Sequence, residues 1–472
     1  MPILFVGVRM GSPDRRLRLL TTAVLLGGMF LSGSTFGQEV EPDAVVAPSL
    51  LDRPAGSGVS SNFDVGQETP RPPITPPPVP DPYPDGPRSS RFLLGDAFGL
   101  RSSWEERGVS FYVSSTQFEQ GVTTGGFRQA FRWGSKFDML AHLDSGKLGL
   151  WEGGAFDLFV ESRLGQSVDG FAGAFSPTNL AMFFPVSDAQ ITAITGLKFT
   201  QAITERSGIF FGKLNALNGD REKFLSYPLT SRFWNAAFNF NLTLDRYPYS
   251  APGAGFYVVP ERGPALAFLA LDSYDSPRTS GFENLGRNGL FLYAEATQST
   301  AFFGLPGRQI LAGLYGTGSF ADLAPASFIE LPHGAASAPE KAGTWTLLWN
   351  IEQRLWVNPD APDRGLGLYV QTGLGDGNPN PIRWFLSVAL CGNSPLPGRE
   401  GDLFGVGFYD LGLSEQAKRQ MPGLRDEPGV ELFYNMRLAP GCHLTPDLQV
   451  IQPGLAPVDP ALLLGVRLKL DF

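Results

Sequence analysis

Three histidines, His142, His333 and His443, are all the imidazole in this chain of 472 residues, and their settings bound the chemistry it can do. Nucleophilic catalysis needs a nucleophile, a base and a group that orients the base. None of the three lies in a nucleophile-elbow or zinc-protease pattern such as GxSxG or HExxH. His142 falls on the polar parity of an alternating segment and reads as a wall residue rather than a base; His333 follows Pro332, and His443 adjoins a turn. The sequence contains no P-loop, dinucleotide fingerprint or zinc spacing, so no catalytic residue, metal or cofactor is assigned. GLGDGNPNP, residues 373–381, is turn chemistry and not a phosphate cradle. A net charge of −9 leaves no basic stripe for nucleic acid.

The polar residues that do stand out are spaced two apart. Asp157, Glu161 and Arg163 oppose Phe156, Leu158 and Val160. Asn239, Asn241 and Asp245 oppose Phe238, Phe240, Leu242 and Leu244, and Glu352 and Arg354 oppose Trp345, Leu347, Trp349 and Ile351. This is the period of a strand with one wet and one apolar face, so these charged and amide groups are candidates to line a water-filled passage. Trp345 and Trp349, on the apolar parity, read as lipid or girdle residues.

The elements that would carry such a wall are strands throughout. ALLLGVRLKLDF, ending at Phe472, alternates strictly, with Leu462, Leu464, Val466, Leu468 and Leu470 on one parity and Leu463, Gly465, Arg467, Lys469 and Asp471 on the other. Such a strand fits either the edge of a large soluble sandwich or the closing strand of a membrane barrel. The start of the chain favours the barrel. Arg9, Arg15, Arg16 and Arg18 precede an uncharged run from Leu19 to Leu31 and then small residues before Gln38, the pattern of a secretory signal over residues 1–37. Beyond Gln38 no apolar run approaches the roughly 20 residues of a membrane helix. The 57 Gly and 12% aromatic content suit many turns and two aromatic girdles.

Residues 38–90 are proline-rich, from Pro70 to Pro87 above all, and read as an extended periplasmic linker. Phe98 to Gly108 is short and amphipathic, one or two helical turns ending at Gly108. Residues 91–472 then form one domain, an all-β transmembrane antiparallel β-barrel. About seventeen candidate strands can be marked, among them Ala236 to Arg246 as the cleanest pattern, and a bacterial barrel needs an even number. Counting loops from both ends puts the conflict near residues 247–289, and the hairpin Gly255 to Asp272, interrupted by Pro260 and Pro264, is the suspect. Merging it leaves 16 strands; one more strand would give 18. The long connection from Gly165 to Gln190 falls on the outer rim by this count, where loops should be long. Cys391 and Cys442 fall at the periplasmic rim, two strands apart in this scheme, where a disulfide and two separate thiols both remain open.

Leu93 to Phe111, LLGDAFGLRSSWEERGVSF, resembles the opening of the carbohydrate-selective porins of the OprB type. Phe210 to Asp220, Asp363 to Phe385, Gly405 to Ser414 and Val430 to Gly454 are similar to later segments of that family, in the same order. Near the end, Glu431 and Tyr434 match its Glu-x-x-Tyr, and Thr445, Pro446, Asp447 and Gln449 its Thr-Pro-Asp-x-Gln. Ala97, Phe98 and Gly99 stand where the family commonly has Trp-Gly-Gly. The resemblance implies a sixteen-stranded porin passing small saccharides by diffusion across the outer membrane of a Gram-negative-type bacterium, with membrane lipid as its surround and the long loop from Gly165 to Gln190 folding inward to narrow the lumen. Many porins are trimers, and a homotrimer is open here, although no interface strand can be told from a lipid face that is apolar everywhere. The alternative is a structural barrel that residues 38–90 tie to the cell wall or a periplasmic partner.

Overall fold

The computed structural model describes residues 92–187, 189–217, 232–323, 329–330, 336–337 and 339–472. The signal and linker expectations, and His333, lie outside them. A short helix, Leu100–Glu106, precedes the first strand, and Gly108 closes it at φ 90, with Asp144 and Lys147 leaving no room for a Cβ. Nine strands follow in sequence: β1 Val109–Thr124, β2 Ala130–Asp144, β3 Gly154–Gly165, β4 Ile191–Thr204, β5 Ser207–Asn215, β6 Ser250–Val258, β7 Ala265–Asp272, β8 Leu290–Phe302 and β9 Leu305–Ala321. A two-residue hairpin, β10 Ile329–Glu330 with β11 Ala336–Ser337, interrupts the series outside the wall. Then come β12 Glu340–Asn358, β13 Ala361–Gly375, β14 Ile382–Asn393, β15 Leu403–Leu413, β16 Glu427–Ala439, β17 Cys442–Ile451 and β18 Ala461–Asp471.

Every wall strand pairs antiparallel with its chain neighbours, β9 pairs β12, and β18 returns to β1, so 16 strands close into a barrel with no free edge. Closure is what satisfies every backbone group of a sheet surrounded by lipid. Among the described residues no helix is long and apolar enough to cross a membrane; the crossing is made by strands. β18 shows the two faces: Leu464 and Val466 are 40% and 47% exposed outward, while Arg467, Lys469 and Asp471 are enclosed on the inside. The outward parity of the other strands carries Trp133, Phe137, Phe211, Phe256, Phe268, Trp345, Trp349 and Phe408, all exposed.

The two rims differ. Residues 205–206, 303–304, 359–360 and 440–441 are two-residue turns on the rim where β1 begins and β18 ends. In one of them Phe303 and Gly304 both take positive φ, the backbone a tight hairpin between twisted strands needs. The long connections 166–190, 216–249, 273–289, 322–339 and 414–426 are on the opposite rim, which makes the short-turn rim periplasmic.

The seam is fastened from the periplasmic side. Leu93 N donates to Asp471 O at 2.8 Å, and Phe472 N to Val113 O at 2.9 Å. Arg101 donates from Nη1 to Phe111 O and from Nη2 to Phe472 O, each at 2.8 Å, with its guanidinium 3.7 Å from the Phe92 ring centroid. Tyr112 Oη donates to Asp471 Oδ1 across the seam at 2.6 Å.

Two expectations are corrected here. Ala236 to Arg246 is not a wall strand: Ala236–Phe238 and Leu242–Leu244 are 3-10 turns inside the barrel, capped by the Asn235 and Asn241 side chains. The suspected hairpin is real instead, as β6 and β7, because Pro260 and Pro264 both fall in the connection between the strands and cost the ladder nothing. Cys391 and Cys442 are both free. They lie on β14 and β17, three strand steps or roughly 14 Å apart against a bridging limit of about 7 Å between Cα atoms. Cys391 also faces the lumen, whereas its counterpart is on the outward parity next to inward His443.

Candidate permeation pathway and its inward loops

Among the described residues, two connections leave the extracellular rim and turn into the barrel: the one between β3 and β4, as expected, and the longer one between β5 and β6. Residues 233–249 of the second are buried almost without exception. The segment sweeps around the inner wall. Trp234 meets Gly465 of β18 and is edge-on to Phe118 of β1 at 5.5 Å; Phe238 covers Gly407 of β15; Asn241 and Thr243 cover Gly373 of β13. Tyr247 packs near Phe291 and Tyr293 of β8, and Tyr249 Oη donates to Glu161 of β3. Bare glycines on the wall are what allow this close approach, since a Cβ at Gly373, Gly407 or Gly465 would fall within 2.6 Å of the loop. One side of the interior is dry: Phe210, Leu214, Leu269, Leu271, Phe291 and Leu314 pack with Leu244 and Tyr247 as a conventional core.

Side chains from the wall hold both loops. Glu161 is enclosed by Lys136 Nζ at 2.5 Å, Thr195 Oγ1 at 2.5 Å and Asn215 Nδ2 at 3.0 Å, besides Tyr249. Arg163 donates to Val186 O at 3.0 Å and Ala189 O at 2.9 Å, which ties down the first loop. Glu427 and Glu431 of β16 accept from backbone amides of the first and second loop respectively. Within the second loop Asn239 donates to Phe233 O and Asn235 O and Asp245 sits 3.2 Å from Arg246 Nε, while Asn241 donates to Thr372 O of β13. Burial pushes the Asp245 carboxyl up to about 7 against the pull of Arg246.

Water-facing charges gather instead in the periplasmic half. On β2 to β4, Asp157 Oδ1 is 2.7 Å from His142 Nδ1 and its Oδ2 is 3.2 Å from Lys198 Nζ. On β9 and β12, nearly opposite in the ring, Arg308 Nη2 donates to Glu352 Oε2 at 2.9 Å, with Arg354 two residues further along the same inward parity. These side chains keep partial access to the lumen, 14% for Asp157, 23% for Lys198 and 15% for Glu352.

The geometry is that of a closed barrel narrowed by inward loops, and a family model settles which one. The model described as carbohydrate-selective porin, OprB family, matches residues 128–472. The chain belongs to the OprB family. Its fold is also that of solved OprB: the high pH structure of Pseudomonas putida OprB has a TM-score of 0.71 at 21% identity, over 82% of this chain and 99% of that one. The low pH structure of the same protein gives 0.53 at 17% identity, over 81% and 100%. None of the curated proteins matches. As an OprB-family porin it is an outer-membrane channel for carbohydrate diffusion, and its fold and family make it a transport protein.

Within this OprB barrel the residues expected on the pore wall divide. Asp157, Glu352 and Arg354 face the lumen from strands. Glu161 and Arg163 are on the inward parity too, but they are enclosed beneath the loops and hold them. Asn239, Asn241 and Asp245 belong to the inward loop itself. Parity gives a face and not a register, so it could not show that Lys136 on neighbouring β2 and Asn215 on β5 converge on Glu161, nor that Tyr249 and the amides held by Glu427 come from loops turned inward.

Proposed function

We propose that neutral saccharides and other small polar solutes cross between the Asp157, His142 and Lys198 cluster on one wall and the Arg308, Glu352 and Arg354 cluster on the other. The observation that carries this reading is the placement of partly open, charge-paired groups on nearly opposite walls of a closed barrel that belongs to a carbohydrate-selective family. Paired charges present donors and acceptors to hydroxyl groups, which suits an uncharged polyol, and Arg354 adds a cation beside the Arg308 and Glu352 pair. Residues 1–37 serve in this reading as the export signal and 38–90 as a periplasmic spacer.

Planar-bilayer recording on refolded protein tests it. The expected result is an ohmic channel whose current falls as a neutral sugar is titrated in, with the block weakened in Glu352→Gln and Asp157→Asn. No conductance at all, or a current indifferent to every sugar tried, would sink the proposal.

A further inference from the structure

The Glu-x-x-Tyr and Thr-Pro-Asp-x-Gln segments supply residues that the passage just described does not use. Glu431 and Gln449 are register partners on β16 and β17, both inward and both enclosed. The Glu431 carboxylate accepts from Trp234 N at 2.5 Å and Asn235 N at 2.9 Å. The Gln449 amide donates to Thr178 O at 2.9 Å and its oxygen accepts from Asn235 Nδ2 at 3.2 Å. Four residues before Glu431 on the same face, Glu427 accepts from Phe175 N at 2.6 Å, Ser176 N at 2.9 Å and Gly454 N at 3.1 Å. The loops are also joined to each other, by Leu180 N to Trp234 O and Ala236 N to Pro177 O, both 2.8 Å, and by Ser176 Oγ to Asn235 Oδ1 at 2.6 Å.

We propose that Glu427, Glu431 and Gln449 form a socket that positions the two inward loops as one body and so sets the bore and sugar discrimination of the channel. A closed wall has spent its backbone N–H groups on the ladder and keeps only second lone pairs on its carbonyls, so it grips a loop backbone chiefly through side chains. A carboxylate is the side chain that offers acceptors to two successive amides at once. Here two of them sit four residues apart on one strand face, one for each loop. On neighbouring β15, bare Gly407 leaves room for the Phe238 ring and Gly405 for the tip of Phe233 beside Phe433, next to the socket. These are positioning residues: nothing in the inference requires them to touch the solute.

The inference rests on the porin reading, and its test separates the two. Full-length Glu431→Ala and Glu427→Ala proteins are compared with wild type in single-channel recordings and sugar-block titrations, with heat-modifiable gel migration reporting that the barrel is formed. Losing a two-amide anchor shifts the docked-to-released ratio of the loop by about tenfold. The expected result is a folded barrel with larger, noisier currents, about tenfold more time in the widest level and weaker sugar block, partly restored in Glu431→Asp. Folded variants with wild-type conductance and block overturn the socket, whereas a wild-type channel that no sugar blocks overturns the porin reading and leaves the conductance comparison standing. Should the alanine variants not fold, amide exchange on wild-type protein decides: the Trp234, Asn235 and Ser176 amides must be protected and exchange together, and independent fast exchange refutes a single docked body.

Discussion

Gly407 allows the fit between wall and inward loop to be tested by a single methyl group. A Cβ built there lies 2.3 Å from Phe238 Cε1 and 2.8 Å from two further carbons of that ring. Carbon atoms rest at about 3.5 Å or more, so in Gly407→Ala the ring must retreat by roughly 1 Å. Space for that is lacking: Phe238 is fully enclosed, stacked on Phe233 at 4.6 Å and edge-on to Tyr409 at 5.8 Å. Overpacking of this kind costs about 1–3 kcal/mol, or about five- to 150-fold in an equilibrium. The cost falls on loop docking, since Gly407 has ordinary strand pairing to Ala389 and Glu431 that a methyl group leaves intact. Gly170, in the other inward loop, has open space around its Cβ position, and Gly170→Ala serves as the control. Single-channel recording of Gly407→Ala is expected to show a raised mean conductance with frequent excursions, while the control matches wild type. Indistinguishable traces for the two variants would refute the claim that wall glycines seat the loop.

Arg101→Ala removes two hydrogen bonds across the seam and the stacking on Phe92, about 2–4 kcal/mol together, so the folded band on a semi-native gel should vanish at a lower temperature with conductance unchanged. An unaltered gel transition would show that the helix contributes nothing to closure. Unreduced, denatured protein should take up two maleimides, and folded protein should react at Cys442 before enclosed Cys391; an intact mass lower by two hydrogens contradicts both free thiols. Asp245 has a docked value of about 7 against 3.8 when free, so the docked loop keeps a proton that the released loop gives up, and docking weakens as pH rises between those values. Asp245→Asn should therefore record more quietly than wild type at pH 8 and match it below about pH 4. A variant whose pH profile follows wild type throughout removes Asp245 from the account.

The barrel was legible wherever a strand separates two different media. In β18, lipid outside and enclosed polar groups inside impose opposite preferences on alternate residues, and ALLLGVRLKLDF records them directly. FNFNLTLDR has the same alternation for another reason. Asn239 donates to two loop carbonyls and Asn241 caps a 3-10 turn while its amide reaches a wall carbonyl, the apolar residues fill wall pockets, and Phe238, Asn239, Phe240 and Asn241 are all enclosed. A two-residue period reports two kinds of neighbour, which the filling of a barrel can supply as well as its wall. The prolines near β6 and β7 misled in the opposite direction, because their weight depends on whether they fall in the ladder or, as here, beside it. Asp157, Glu352 and Arg354 could be placed by parity alone. The anchoring by Glu427 and Glu431 could not, since their partners lie about 200 or more residues away along the chain and meet them only once the loops turn inward.

The course of residues 233–249 has a mechanical consequence. A thin-walled tube under lateral compression fails by ovalising, and only something that links different parts of its circumference resists that mode. By touching β18, β15, β13, β8 and β3 in turn, this segment acts as an internal hoop, with the dry packing around Tyr247 as its stiffest arc. Lateral pressure from the surrounding lipid therefore meets a cross-section that is tied across its inside as well as around its rim, and ovalising it would require these wall contacts to give way.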